Sequence, residues 1–332
     1  MKLKEVLYKV KKQTEENLTN FFDQKKIESE KIDKFCTSLA SQIENLTLRG
    51  GKKTRAFLVW AGYMGYGPAS SKPPKSLMSL MMAIELFQSF ALIHDDIMDE
   101  DEVRRDGITV HKYFEKQCRK INKEALRQAQ GEKIKGNFST EFVPHDIAGL
   151  RNKHSFRYGE SMAMLAGDMA LVWADELVCL SIASAFVKRS KTKSGASQTD
   201  VINIYQQMKE EISYGQALDV ADTHGVCKSA KEKINELKTA RYSVIRPLQL
   251  GASLAGASRA QVELIADYGL PTGLSFQAKD DEMDGEITKV ELDKKTKVLI
   301  KRSQAAVEDL DMKPEIKKLL FEFTKFVIKR KS

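Results

Sequence analysis

Apolar residues recur at helical spacing along most of the chain, and nowhere is a strand-type alternation sustained beside a hairpin turn. Met1 to Ile43 reads as one or two amphipathic helices, Gly50-Gly51 punctuates, and a helix resumes over Thr54 to Met64. Gly65 to Pro74, containing Pro68, Pro73 and Pro74, is a loop. A long helix from Ser76 to about Glu102 is apolar on most faces, which predicts burial. Further helices are predicted at Ser161–Phe186, Asp200–Ala221, Lys231–Pro247, Gln261–Asp284 and Lys313–Lys331. Residues 112–155 break the pattern: they are Lys-rich, and GEKIKGNFSTEFVPH (131–145) reads as exposed loop. With no repeat and no clean linker, the pattern predicts a single all-α domain over residues 1–332 carrying a basic insertion at about 112–155.

Composition leaves that picture intact. With 332 residues, 42% hydrophobic and 30% charged, the chain has the makeup of a globular protein with a large core. The best apolar run, Leu77 to Ile93, is interrupted by Glu85 and Gln88 and falls short of a membrane span. The first residues alternate charged with apolar positions and predict no signal peptide. Cys36, Cys118, Cys179 and Cys227 show no metal-ligand spacing, and the expected location is the cytoplasm.

Charge changes the picture more. The net +8 suggests nucleic acid until it is located. Residues 112–155 hold 10 Lys/Arg against 5 Asp/Glu, and residues 289–332 hold 13 against 7, so the rest of the chain is net acidic. A nucleic-acid binder would interleave basic and aromatic residues on one face. Here the excess sits in an insertion and a tail, where it serves solubility or peripheral contact with anionic lipid equally well, and no nucleic-acid partner is expected.

The acidic body contains two DDxxD runs. Asp95, Asp96 and Asp99 end the long apolar helix, and Asp280, Asp281 and Asp284 close another apolar segment. Positions i and i+4 share a helix face. Carboxylates are hard oxygen ligands, and Mg²⁺ takes one or two of them together with water and phosphate oxygens. Two such runs facing each other would hold several Mg²⁺ around a diphosphate, and the plainer alternative is solvated acidic helix ends. Cations suited to the remaining phosphate oxygens occur in Gly50-Gly51-Lys52-Lys53-Thr54-Arg55 at a helix start, at Arg104-Arg105 and at Lys238.

The ordered series GGKKTR (50–55), AIELFQSFALIHDDIMD (83–99), RR (104–105), MLAGD (164–168), YGQALD (214–219), KTA (238–240) and FQAKDDEMD (276–284) resembles the trans-isoprenyl diphosphate synthases. The resemblance implies an isoprenoid-synthase-type helical bundle with a central substrate cavity. It also implies a Mg²⁺-dependent, homodimeric prenyltransferase, with three ions bound alongside the diphosphate. Lys52, Arg55, Gln88 and Arg105, with Lys53 beside them, match the residues that hold isopentenyl diphosphate. Asp95, Asp99 and Asp280 match the metal ligands that hold the allylic diphosphate, supported by Asp96, Asp281 and Asp284, and Arg104 and Lys238 match its cationic contacts. Thr239, Gln277 and Gln216 are expected at the reacting carbons. The expected chemistry is ionisation of the allylic diphosphate, condensation and proton loss. Phe90, five residues before Asp95, lies roughly 7–8 Å down the helix. With small Ala91 beside it and Phe87 a turn deeper, it is expected to floor the product cavity, as in archaeal-type geranylgeranyl diphosphate synthases; a farnesyl product is the alternative.

Some positions depart from the family pattern. Lys53 stands where arginine is usual, Ala56 replaces a proline and Asp106 replaces a glycine. GEITKVELDKKTK (285–297) replaces a longer closing loop, which leaves Lys289 as the candidate for that loop's lysine and makes a weakly active regulatory subunit a second alternative. A class I terpene cyclase would be expected to lack GGKxxR and the second DDxxD, and a His-Asp phosphohydrolase would need more than His94.

Overall fold

The computed structural model describes residues 2–68, 73–135, 146–186, 198–228 and 231–329. Twelve α-helices and one π-helical segment account for nearly all of them. They are α1 (Leu3–Ile32), α2 (Cys36–Leu48), α3 (Thr54–Tyr66), α4 (Lys75–Met98), α5 (Val110–Lys135), α6 (Asp146–Phe186) and α7 (Gln198–Thr223). Then follow α8 (Lys231–Asn235), the π segment Glu236–Ile245, α9 (Arg246–Ala255), α10 (Arg259–Met283), α11 (Lys289–Asp309) and α12 (Pro314–Lys329). The expected all-α class is what is observed.

Several boundaries differ from the sequence reading. α4 stops at Met98, and Glu100 turns the chain with φ of 57°. The part expected to run on to Glu102 instead leads into a hairpin of two-residue strands, β1 (Val103–Arg104) and β2 (Gly107–Ile108), joined by Arg105 and Asp106. Both turn residues have positive φ, 53° and 59°, the geometry of the turn whose twist matches a hairpin. Residues 131–135, read as loop, continue α5, while 136–145 lie outside the described residues. The segment after Asp284 is a 21-residue helix, opened by a capping box of Thr288 and Glu291. Among the described residues α4 is the one helix long and apolar enough to cross a membrane, longer in this respect than the sequence reading allowed, but 72% of its apolar window is buried.

The chain divides into two compact units. The first comprises residues 1–17, 52–85 and 176–332. Its core is α3 against α9: Ala56 to Ala61 are almost wholly buried, and Phe57 meets Trp60 and Phe323 at ring distances of 6.0 and 5.3 Å. The two backbones meet at Gly251, where a Cβ would stand 2.0 Å from the Val59 carbonyl oxygen. Around this pair lie α7, the π segment and α10 to α12. Tyr268 of α10 is fully buried and donates to the Leu320 carbonyl of α12 at 2.9 Å.

The second unit comprises residues 18–51 and 86–175. Trp173 of α6 packs edge-on against Phe21 and Phe22 of α1. Thr47 of α2 and Ser89 of α4 share a buried hydroxyl contact of 2.7 Å. The Arg49 guanidinium donates to the Ile108 carbonyl at 3.2 and 3.3 Å, fastening the hairpin to the end of α2.

Candidate active site

The first carboxylate run is built on the last turn of α4, whose apolar residues bury the helix and carry its end to a fixed place. Asp96 is 1% exposed, Asp95 is half-buried and Asp99 is exposed just past the helix, its amide still donating to the Asp95 carbonyl at 2.9 Å. Arg104, on β1, gathers the carboxylates: Nε donates to Asp96 Oδ1 at 2.5 Å, and Nη2 reaches Asp101 at 2.7 Å and Asp95 at 3.4 Å. Burial nevertheless pushes Asp96 up to about 6, against the pull of the guanidinium. Its second oxygen, Oδ2, is buried and makes no hydrogen bond.

Arg105 is placed by the hairpin. Its left-handed backbone is held by donation from Nη1 to the carbonyls of Leu46 and Arg49, at 3.2 and 3.3 Å. Asp106 thus occupies the second turn position, where a short polar side chain tolerates positive φ, which accounts for its standing where a glycine is usual.

On the deeper part of α4 the aromatic rings form a ladder. Phe87 meets Phe90 at 5.3 Å and Phe90 meets His94 at 4.8 Å. Phe87 is fully buried, Phe90 and Ala91 are half-buried, and Gln88 is buried. His94 is steadied by the Met164 carbonyl at 3.2 Å and by Asp168 at 3.7 Å, both on α6. The MLAGD motif therefore touches the residue just before the first run, a relation that sequence reasoning left without a role.

The second run closes α10 in the other unit. Asp280 is half-buried, Asp281 buried and Asp284 exposed at the helix end, with the Asp284 amide donating to the Asp280 carbonyl at 2.9 Å. A hydrogen-bonded line leads into it: Thr239 Oγ1 donates to Gln277 Oε1 at 2.5 Å, and Gln277 Nε2 donates to Asp281 Oδ1 at 2.9 Å. Thr239 comes from the π segment, as does Lys238, whose ammonium is bound to Asp219 of α7 at 2.5 Å. Asp219 belongs to the YGQALD motif, but nothing in the sequence marks it as this partner; Gln216, one turn before it, is half-buried.

The GGKKTR stretch is divided. Lys52 is exposed, with its ammonium over the Phe326 ring at 5.6 Å. Arg55 lies over Tyr242 at 4.6 Å and donates to Ser243 at 2.6 Å, while its Nε is buried and makes no hydrogen bond. Lys53 departs from the expectation of a phosphate contact: it has φ of 49°, is 4% exposed, and faces Glu85 at 3.6 Å. A buried lysine beside a buried glutamate has its charge compensated inside the protein. Lys289, the candidate closing lysine, is exposed in the first turn of α11 and pairs with Asp293 at 3.0 Å.

Comparison with known proteins brings these observations together. A family model described as polyprenyl synthetase matches residues 36–124 and 150–307, passing over 125–149 within the Lys-rich stretch. A short chain isoprenyl diphosphate synthase of Methanocaldococcus jannaschii is 25% identical over 242 residues, 73% of this chain and 56% of that protein. A (2E,6E)-farnesyl diphosphate synthase of Mycobacterium bovis is 30% identical over 233 residues, 70% of this chain and 48% of its own length. The chain thus spans about half the length of these relatives. In fold, it is similar to a geranylgeranyl pyrophosphate synthase of Corynebacterium glutamicum, whose crystal structure is complexed with isoprenyl diphosphate and magnesium. The TM-score is 0.77, with 22% identity and 100% of both chains covered. The matched residues contain both aspartate runs, the arginine pair, the Lys238-Thr239 turn and the glutamine that joins it to Asp281, and with a match over most of its length the chain belongs to the polyprenyl synthetase family.

Proposed function

We propose that the protein condenses isopentenyl diphosphate with an allylic diphosphate, with geranylgeranyl diphosphate as the product. The observation that carries this reading is the line from Thr239 through Gln277 to Asp281. It ties a hydroxyl and an amide, dipoles that stabilise a carbocation without trapping it, to the carboxylates of the second run.

The donor set fits magnesium. Each run offers hard carboxylate oxygens one helical turn apart, and Asp96 keeps a buried oxygen with no hydrogen bond. Among the described residues no three His, Cys, Asp or Glu side chains cluster together, and an ion held by these carboxylates would share its coordination with diphosphate oxygens and water. Asp95, Asp99 and Asp280 are the ligands in this reading, with Asp96, Asp281 and Asp284 supporting them and three ions bound. When bound, the ions withdraw charge from the departing diphosphate.

The chain's own groups supply the rest. Arg104 and Lys238 bind the allylic diphosphate, and each is already held by carboxylates that fix its position. Lys52, Arg55, Arg105 and Gln88 hold the isopentenyl diphosphate, so that its double bond is presented rather than found by diffusion. The open Nε donor of Arg55 suits that role. Gln216 stands with Thr239 and Gln277 near the reacting carbons. The proton lost at the end goes to the diphosphate, since among the described residues no histidine or glutamate bonds to Thr239 or Gln277 as a base.

The Phe87–Phe90 pair is the floor in this reading, which makes the product twenty carbons long. A fifteen-carbon product is the second reading, favoured by the name of the 30%-identical relative. We also place the protein in the cytoplasm as a homodimer, for which the exposed Met164, Leu165, Met169 and Val172 on α6 offer an apolar face.

The test is incubation with Mg²⁺, labelled isopentenyl diphosphate and each allylic primer, followed by chromatography of the products. A twenty-carbon product is expected, and absence of elongation with every primer overturns the reading. Phe90→Ala is expected to lengthen the product; an unchanged length removes Phe90 as the floor.

A further inference from the structure

The residues that present Lys238 and Thr239 lie in ten consecutive residues of π-helix, Glu236–Ile245. Such helices are rare and mostly single-turn, so a run of this length needs something to hold it. Beside Lys238, the charged residues Glu236, Arg241 and Arg246 follow one another at a spacing of five. In an α-helix, positions five apart point about 140° away from each other. Residues three or four apart are the ones that meet. When each turn is widened by a residue, as in a π-helix, positions five apart come to the same side. The side-chain pairing follows the wide register. Arg241 Nε donates to Glu236 Oε1 at 2.6 Å.

A second group fastens this row from outside. Glu211 of α7 accepts from Arg241 Nη1 at 2.8 Å, from Arg246 Nη2 at 2.6 Å and from Arg246 Nε at 2.8 Å. Its two oxygens therefore bridge arginines five residues apart, one inside the π segment and one at the start of α9. Arg246 is fixed further by Gln249, at 2.8 Å. The side chains of Glu211 and Arg246 are 15% and 11% exposed, which makes this a largely desolvated charge cluster. The segment is also pressed from two sides. A Cβ at Gly273 of α10 would stand 2.3 Å from Ala240 Cα, and one at Gly215 of α7 would stand 2.9 Å from Lys238 Cγ. A change of register would therefore turn Lys238 and Ala240 against α7 and α10.

We propose that Glu211, acting through Arg241 and Arg246, is a positioning residue that holds Glu236–Ile245 in the π register and so aims Lys238 at Asp219 and Thr239 at Gln277. The kinetic consequence rests on the prenyl-transfer reading above, whereas the consequence for the register does not. Without the bridge the segment relaxes toward an α-helix. Each residue then turns relative to α7 and α10, and Lys238 and Thr239 leave their partners.

Two measurements on Glu211→Gln and Glu211→Leu test this separately. The first is a crystal structure of each variant. The expected result is an α-helical segment in which Lys238 no longer reaches Asp219 and Thr239 no longer reaches Gln277, most completely in Glu211→Leu; a retained π segment with both pairs intact overturns the proposal. The second is steady-state kinetics. The expected result is a fall of about 10- to 100-fold in kcat, the scale of a misplaced reacting group. The KM for isopentenyl diphosphate should rise by much less than kcat falls. Lys52 lies over Phe326 and Arg105 is held by the Leu46 and Arg49 carbonyls, while Arg55 rests on the segment through Tyr242 and Ser243. An unchanged kcat, or a KM that rises in step with the kcat loss, overturns it. Arg241→Lys keeps the charge but offers a single ammonium to two carboxylates, and an intermediate kcat is expected. Glu210→Gln, the exposed neighbour, should behave as wild type. If Glu211 variants fail to fold, Arg241→Gln, at a more exposed position, carries both measurements, and the same results support or overturn the proposal. Should the wild-type protein elongate no primer, the functional reading falls while the structural arm still decides the register.

Discussion

The two aspartate runs carry nearly the same sequence but meet different partners. Asp95 and Asp96 are met by a full positive charge, Arg104, which also reaches Asp101. Asp281 is met by a neutral amide, Gln277, itself supported by a hydroxyl. Burial of a carboxylate costs several kcal/mol unless a charge or a set of hydrogen bonds offsets it. The first run, with Asp96 almost wholly enclosed, uses the stronger compensation and still leaves that group raised. The second, whose Asp280 and Asp284 are more open, puts a dipole on Asp281 where the first puts a cation, with the Lys231 ammonium acting on Asp281 through space. The first run is therefore a rigid clamp closed by a cation, and the second is a polar line of hydroxyl and amide dipoles that ends on Asp281.

The largest effect should be common to both. In the proposed magnesium site, Asp95→Asn and Asp280→Asn would each replace a carboxylate ligand and remove a negative charge. Loss of several kcal/mol of transition-state stabilisation corresponds to about a thousandfold in kcat. Raised Mg²⁺ concentration should recover part of it. If one variant keeps wild-type kcat at ordinary Mg²⁺, the two runs are not equivalent as ligand sources and the comparison breaks at its base.

Next comes the difference in compensation. Arg104→Met leaves Asp96 buried without its cation, and removing one partner of such a pair costs about 3–5 kcal/mol. Denaturant unfolding of the metal-free variant should show that loss, and adding Asp96→Asn should return most of it. Gln277→Leu takes one hydrogen bond from the Thr239 hydroxyl and one from the buried Asp281 carboxylate but removes no charge, a cost of about 1–3 kcal/mol. Its kcat should fall about 100-fold through the lost dipole. Equal stability losses for Arg104→Met and Gln277→Leu would show that the clamp and the line do not differ in the way their chemistry suggests.

How much of this was legible in the sequence follows from how local each feature is. Each aspartate run is confined to five residues, and the arginine pair begins five residues after the first run, so local spacing marked them. The Thr239–Gln277 contact joins residues 38 apart, so motif order announced the pair while spacing could not join it. Glu211 is a harder case: its partners lie 30 and 35 residues on, and the five-residue spacing of Glu236, Arg241 and Arg246 matches no α-helical face. The hairpin around Arg105 escaped because two-residue strands carry no alternation. α11 escaped because two of its four buried positions are Thr296 and Ser303, which thins the apolar stripe, although Thr288-x-x-Glu291 was a start signal in plain view. Lys53 looked like a phosphate ligand because a lysine's inward turn toward Glu85 depends on one left-handed residue that the sequence does not announce.

The smallest effect lies behind the first run. His111, at the start of α5, is 2% exposed, and its Nδ1 makes no hydrogen bond. Burial holds its imidazole below the ordinary range, and Lys112 adds to this, against a weaker opposite pull from Glu115, Glu102 and Asp101. A histidine with a lowered folded-state value binds its proton less tightly than the unfolded chain does, whose value is near 6.5. Its stabilising contribution is therefore complete above about pH 6.5 and drains away as pH falls from there toward the folded-state value. Asp96, raised to about 6, works the other way over the same interval, since the folded state takes up its proton first. The His111 contribution is therefore the difference in slope between wild type and His111→Gln, in which any packing cost of the substitution is the same at every pH. Urea midpoints of wild type and variant, followed from pH 8 to 5, measure the difference. Identical slopes would mean that the enclosure around the first run does not extend to α5, and that the clamp is confined to Arg104 and its three carboxylates.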